Sequence, residues 1–186
     1  MNELKDYILV FKDIMSHKLC EDILKEYANS NEWENAIIGE NTIDKTKRNC
    51  TSIKISKNNI IEKNKEIRKN LDNEIFECAK KAIKQYNQKF NFSNITKDVG
   101  YFLLKYERGG FYVQHVDSFT AFPRTISCSF ILNDNFKGGE FSFFNNQYKF
   151  NLEKGSSIMF PSNFMYPHSI LPVTEGTRYS IVTWFL

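Results

Sequence analysis

At Gly100 the texture of the sequence changes, and this change constrains the fold more than any other feature of the chain. Before it, charged residues alternate with apolar ones at helical spacing. After it, short runs rich in Phe, Tyr, Ile, Val and Thr alternate with Gly, Asn, Asp and Pro. The runs are residues 100–106, 111–117, 125–132, 140–144, 147–151, 156–160, 166–171 and 178–185. Apolar stretches of this length, bounded by turn residues, predict antiparallel strands. A count of eight is that of a double-sheet jelly roll. Most of the 17 phenylalanines fall in this half, enough aromatic volume to fill the space between two sheets.

The first half reads differently. Tyr7 to Phe11 predicts a short strand, and Ser16 predicts the N-cap of a helix carrying Leu19, Cys20, Ile23, Leu24 and Tyr27 on one face. Residues 29–50 read as loop with short strands, and Arg48 to Ile55 as a strand. Asn59 followed by Glu62 resembles a capping box. It opens a long helix whose stripe is Ile67, Leu71, Ile75, Cys78, Ala82, Tyr86 and Phe90. A length of 186 residues fits one domain. The expectation is therefore an α+β domain: residues 1–99 supply helical support and lid elements, and 100–186 form the jelly-roll core.

The bulk properties remove several classes of function. A net charge of +3, with Lys and Arg spread along a helix among Glu and Asp, gives no basic stripe for nucleic acid. The N-terminal MNELKDYILVFKD is broken by charges, so it predicts neither a signal peptide nor a membrane span. Cys20, Cys50, Cys78 and Cys128 are scattered without a CxxC pair, which argues against a zinc site or a disulfide framework. A reducing, cytoplasmic setting is the simplest reading. Monomer and homodimer both stay open.

The chain has three histidines, and two lie in the strand-rich half. His115-Val-Asp117 places two ligand-type side chains at i and i+2, which on a strand share a face. His168 follows near the start of another predicted strand. Two imidazoles and one carboxylate occupy one face of a ferrous ion and leave the remaining positions open. Arg178 lies on the last strand, with Ser180, Val182 and Trp184 on its face. A buried arginine needs an anion, and its planar fork suits a carboxylate. Taken singly, each feature has a bland reading: an HxD at a strand end, a core histidine, a structural ion pair. Their order inside one strand-rich half is what points to a site.

These residues resemble the 2-oxoglutarate and iron(II)-dependent oxygenases, in particular their prolyl 4-hydroxylase-like branch. Tyr106-Glu-Arg-Gly-Gly110-Phe-Tyr-Val-Gln-His115-Val-Asp117 resembles the first metal motif of that branch. Gly138-Gly-Glu-Phe141 with Phe143 is similar to its Gly-Gly-Glu-Thr-x-Phe hairpin, Phe141 standing where threonine is usual. Lys154-Gly155, Phe160-Pro161, His168, Pro172-Val173, Gly176, Arg178-Tyr179 and Trp184 continue the resemblance. It implies a double-stranded β-helix with Fe(II) held by His115, Asp117 and His168. The cosubstrate 2-oxoglutarate would be bound by Arg178 and Tyr106, with Ser180 beside them. The implied reaction uses O2 to convert 2-oxoglutarate to succinate and CO2 while hydroxylating a C–H bond, with ascorbate as a further possible requirement. One departure stands out: Ile131 occupies a position where relatives often place a tyrosine that helps grip the carboxylate. The small hydroxyls of Thr125, Ser127 and Ser129 on the same face are the available substitutes.

Substrate recognition is expected across the mouth, from residues 31–50 and 118–124, with Phe119, Phe122, Trp33, Arg124 and Trp184 as contact candidates. By analogy with the branch, the first choice of substrate is a peptidyl proline. A free amino acid or other small molecule is the alternative, and a catalytically silent jelly-roll binding module is the alternative from another class. A cupin-like site with a different metal fits less well, because the extra histidines such sites recruit are missing.

Overall fold

Alternation along the strands after Gly100 sorts side chains to two faces, and the fold is built by covering each face with a different layer. The computed structural model describes residues 2–56, 64–90 and 94–186. A 3-10 turn (Leu4–Tyr7) leads into β1 (Leu9–Phe11), α1 (His17–Tyr27), β2 (Glu34–Asn35), β3 (Arg48–Asn49), β4 (Thr51–Lys54) and α2 (Lys65–Lys89). Then follow β5 (Phe102–Tyr106), β6 (Phe111–His115), β7 (Ile126–Ile131), β8 (Lys137–Gly138) and β9 (Phe141–Phe143). The chain ends with β10 (Tyr148–Phe150), β11 (Ser157–Pro161), β12 (His168–Ile170), β13 (Val173–Glu175) and β14 (Arg178–Phe185).

The major sheet has the order β1-β11-β7-β14-β5-β4-β2, the minor sheet β10-β9-β12-β6-β3, and β13 pairs with β8 separately. Every one of these pairings is antiparallel. On β7 the residues Ile126, Cys128 and Phe130 face the helices, together with Leu103, Met159 and Ile181 from neighbouring strands. The helices answer with Leu19 and Ile23 of α1 and with Leu71, Ile75, Ala82 and Tyr86 of α2. The opposite face carries Leu104, Tyr106, Ile131, Ile158 and Phe160, which pack on Phe141, Phe143 and Ile170 of the minor sheet. Burying each of these large side chains contributes about 1.5–3 kcal/mol. The result is a helical layer on a double-stranded β-helix, as the sequence predicts.

Four details differ from the sequence reading. Tyr7 ends the 3-10 turn instead of starting a strand, so β1 begins at Leu9. The stretch from Arg48 to Ile55 is two strands: β3 joins the minor sheet and β4 the major one, with buried Cys50 at the crossing. On α2, Ile67 is exposed and Arg68 takes the inward place beside it. The pair β8 and β13, two and three residues long, carries no apolar run to announce it. The capping box at Asn59 and Glu62 lies outside the described residues. The helix itself starts after Asn64, whose φ of 59° is left-handed and whose side chain makes no cap. At α1 the expected cap is present: Ser16 Oγ accepts from the Leu19 amide at 3.1 Å, which stabilises by about 1 kcal/mol.

Candidate metal centre

His115 ends β6, and Asp117 follows two residues later, so both start from the same side of the strand. His168 opens β12, which runs antiparallel to β6 and places His168 directly opposite His115. The two rings lie 4.3 Å apart. Asp117 sits between them, with Oδ1 3.4 Å from His115 Nε2 and Oδ2 3.6 Å from His168 Nε2. One ligand atom from each residue falls within 4.8 Å of the others, and no other such trio converges among the described residues.

Both imidazoles are turned by backbone. His115 Nδ1 is 2.9 Å from the Val113 carbonyl and His168 Nδ1 is 3.1 Å from the Tyr166 carbonyl. A carbonyl can only accept, so each Nδ1 carries a proton and each Nε2 is the atom turned to Asp117. This arrangement of outer partners fixes the tautomer a metal needs. Tyr112 stacks on His115 at 3.5 Å, while Phe160 and Phe143 enclose His168 at 4.6 and 5.6 Å. Asp117 Oδ2 accepts from Ser127 Oγ at 2.6 Å, and Ser127 in turn shares a 2.8 Å hydrogen bond with Ser162.

Charge follows from these contacts. Burial favours the neutral form of Asp117, but His168, His115 and the Ser127 hydroxyl outweigh it and hold the carboxyl well below its usual range. Burial first, and the neighbouring His115 second, lower the His168 pKa to about 4. At neutral pH His168 is thus a neutral imidazole beside an ionised carboxylate, the states in which both can donate to a cation.

A cavity of ≈ 400 Å³ opens over the trio and is walled by the inward residues of β5, β7 and β14. Tyr106, Ser129, Ser180 and Arg178 line it, as do Arg124 and Trp184 nearer the loops. Arg178 is 1% exposed, yet its Nη1 has one partner, Ser180 Oγ at 2.8 Å, and its Nη2 has none among the described residues. Tyr106 and Phe141 flank the guanidinium at 5.3 Å each. Burial lowers the Arg178 pKa, the mark of a cation set in the interior without a carboxylate.

The structure therefore brings His115, Asp117, His168, Tyr106, Arg178 and Ser180 around one cavity, with Arg124 and Trp184 also on its wall. Arg124 lies 3.5 Å over the Trp184 ring and donates to the Asp117 carbonyl at 3.1 Å, so this wall is tied to the trio. Phe119 and Phe122 reach the mouth as expected. Trp33 does not: it packs near Tyr179 and donates to the Tyr27 carbonyl at 3.0 Å. Ser127, expected to help Arg178, serves Asp117 instead. Sequence reasoning missed Tyr112, Ser162 and Arg48, whose guanidinium lies 4.6 Å over the Tyr112 ring. The one available signal for Tyr112 was its place within the HxD strand.

Residues 101–186 match the model of the 2OG-Fe(II) oxygenase superfamily. A prolyl hydroxylase from Trichoplax adhaerens, solved with a hypoxia-inducible-factor oxygen degradation domain peptide fragment, superimposes with a TM-score of 0.78 at 19% identity. That match covers 97% of this chain and 83% of the other. A Pseudomonas putida prolyl-4-hydroxylase gives 0.71 at 18% identity, covering 96% and 91%. The viral collagen prolyl hydroxylase of Paramecium Bursaria Chlorella virus-1, in its 2OG complex, gives 0.68 at 19%, covering 96% and 95%. No curated protein matches by sequence. Residues 101–186 thus carry both the trio and the match to the 2OG-Fe(II) oxygenase superfamily, and the fold of the chain is that of the solved prolyl hydroxylases.

A match to this superfamily implies Fe(II), 2-oxoglutarate and O2, and the residues fit that set. Two imidazoles and one carboxylate are the donor type of non-haem ferrous oxygenases. The buried, half-partnered guanidinium of Arg178 is the complement of a carboxylate.

Proposed function

We propose that the protein hydroxylates prolyl residues in a peptide or protein, holding Fe(II) with His115, Asp117 and His168 and 2-oxoglutarate with Arg178. The observation that carries the peptide reading is the rim of the cavity. Ile37, Phe119 and Phe122 all line it, and they are 45%, 37% and 41% exposed. They stand on two separate loops, one between β2 and β3 and the other between β6 and β7. Large apolar side chains left open around one mouth favour a ligand broad enough to cover them. A free amino acid would leave this rim bare. The solved Trichoplax prolyl hydroxylase carries a peptide fragment, which supports the same reading.

Each residue then has a task. The guanidinium of Arg178 pairs with the distal carboxylate of 2-oxoglutarate, and Ser180 Oγ holds Nη1 in place for it. The Tyr106 hydroxyl, in the same wall, is the neutral donor to the cosubstrate. Ser127 fixes the Asp117 carboxylate, and the Val113 and Tyr166 carbonyls fix the imidazoles. Ferrous iron held at these atoms would supply the dioxygen activation needed for attack on a C–H bond. Trp184, braced by Arg124, offers a flat apolar wall for the target ring. Leu104, Val182 and the aromatic rim exclude water once substrate is seated.

Mass spectrometry of proline-containing peptides incubated with the chain, Fe(II), 2-oxoglutarate, O2 and ascorbate tests this reading. A gain of one oxygen atom on proline, absent without 2-oxoglutarate, is expected. Oxidation of a free amino acid with no peptide modified would replace the peptide reading with the small-molecule one.

A further inference from the structure

Arg178 is a wall of two cavities. Besides the one over His115, Asp117 and His168, a second cavity of ≈ 360 Å³ lies against it, and Phe141 also borders both. This rear space is lined by Ile131, Asp134, Glu140, Asn151 and Leu152. A cosubstrate pocket closed by a packed arginine would have solid protein behind the guanidinium. Here there is room.

The hold on Arg178 is correspondingly light. One charge-assisted hydrogen bond to Ser180 Oγ and two ring faces restrain it, and Nη2 has no partner among the described residues. Gly139 gives its stem room to pass close to the backbone, since a Cβ there would fall 2.8 Å from Arg178 Cδ. The rear lining offers an exposed carboxylate, Asp134, and a half-buried one, Glu140, as acceptors, while Lys137 beside them is paired with Glu175. An arginine side chain held through one of its two terminal nitrogens, with acceptors behind it, can rotate, because the partners that the buried Nη2 gains offset the strain on the Nη1 bond.

We propose that Arg178 is a movable end wall, and that the protein binds 2-oxo dicarboxylic acids longer than 2-oxoglutarate by letting the guanidinium recede into the rear cavity. This rests on the reading that Arg178 takes the distal carboxylate. The ligand class is a 2-oxo acid with a terminal carboxylate, and 2-oxoadipate, one methylene longer, is the first member to test. In a rigid pocket the extra methylene would push the carboxylate past its partner, a mismatch that costs about 100-fold or more when a charged group is left badly paired.

The experiment is calorimetric titration of the Mn(II)-loaded chain, without O2, by 2-oxoglutarate and by 2-oxoadipate, so that binding is read apart from turnover. The expected result is a 2-oxoadipate Kd within about tenfold of that for 2-oxoglutarate. Leu152→Trp fills the rear cavity from a half-buried loop position, and Asn151→Phe does so from an exposed one. Either should weaken 2-oxoadipate by about tenfold or more while changing 2-oxoglutarate by less than about twofold. Binding of 2-oxoglutarate with 2-oxoadipate about 100-fold weaker overturns the movable wall and leaves the assignment of Arg178 standing. Equal loss of both acids in the filled variants overturns it too. Failure of both acids on a chain that binds Mn(II) removes the assignment of Arg178, and this inference with it.

Discussion

His168 lies directly across the β6–β12 ladder from His115, and each ring is turned by a backbone carbonyl two residues before it in sequence. The geometry of the trio is thus written into strand register. A one-residue slip of β12 would carry His168 to the opposite face of the minor sheet. Three phenylalanines, Phe141, Phe143 and Phe160, pack around that ring and oppose such a slip.

Ser127→Ala tests the outer support of the site. Its hydroxyl donates to Asp117 Oδ2 at 2.6 Å, and removing it leaves a buried carboxylate oxygen one donor short. Metal affinity is expected to fall about 10–100-fold with the fold unchanged. Mn(II) titration measures this, and an unaltered affinity would show that Ser127 plays no part.

Arg178→Met separates stability from binding. A buried cation without a carboxylate is costly, and Met fills similar volume without a charge. The ligand-free variant should be more stable by about 1–2 kcal/mol, seen as a higher Tm, while 2-oxoglutarate binding is lost. A lower Tm would mean that the guanidinium is better satisfied than its contacts indicate.

Acid should destabilise the metal-free protein through His168. Its pKa in the folded chain is lowered to about 4 from an ordinary value of 6.5. Between these values the unfolded chain binds a proton that the folded one refuses, so stability rises with pH across that window. The contribution is complete above 6.5 and falls by about 3 kcal/mol as pH drops to about 4. Asp117, whose carboxyl is depressed, adds a loss in the same direction at still lower pH. Thermal unfolding with a chelator, comparing the parent chain with His168→Gln from pH 7 to 4, isolates the effect. A difference that stays constant with pH would contradict it.

Arg68→Ala probes the helical layer. The Arg68 side chain is 5% exposed, with Nε 2.6 Å from Glu26 and Nη2 2.7 Å from Glu32. Its guanidinium also covers the Tyr27 ring at 4.7 Å. Removing it takes the cation from two part-buried carboxylates, Glu26 and Glu32, and should cost about 1–3 kcal/mol by urea unfolding. A loss under about 1 kcal/mol would mean that the pair behaves as an exposed one.

This residue also shows where sequence reading stops. Ile67 fits the apolar period of α2, but Arg68 takes the inward place because its partners arrive from residues 26 and 32. Nothing local announces that. The strands were legible because alternation is local: Ile126, Cys128 and Phe130 face the helices, and Ser127, Ser129 and Ile131 face the interior. The trio was legible for the same reason, as two strand-borne ligand types and a later histidine. The carbonyls that orient the imidazoles have no sequence signature, since every residue carries one. The rear cavity is space left by turns such as Gly138-Gly139, and its presence depends on what packs there.

The central claim is that His115, Asp117 and His168 with Arg178 form an oxygenase site. Succinate formation from 2-oxoglutarate with Fe(II) and O2, in the parent chain and in Asp117→Ala, tests it most directly. The Ala variant should fold, because Ser127 keeps its hydrogen bond to Ser162. Iron-dependent succinate in the parent, abolished in the variant, is the expected result. Equal turnover in both, or none in a folded parent that binds neither iron nor 2-oxoglutarate, would contradict it.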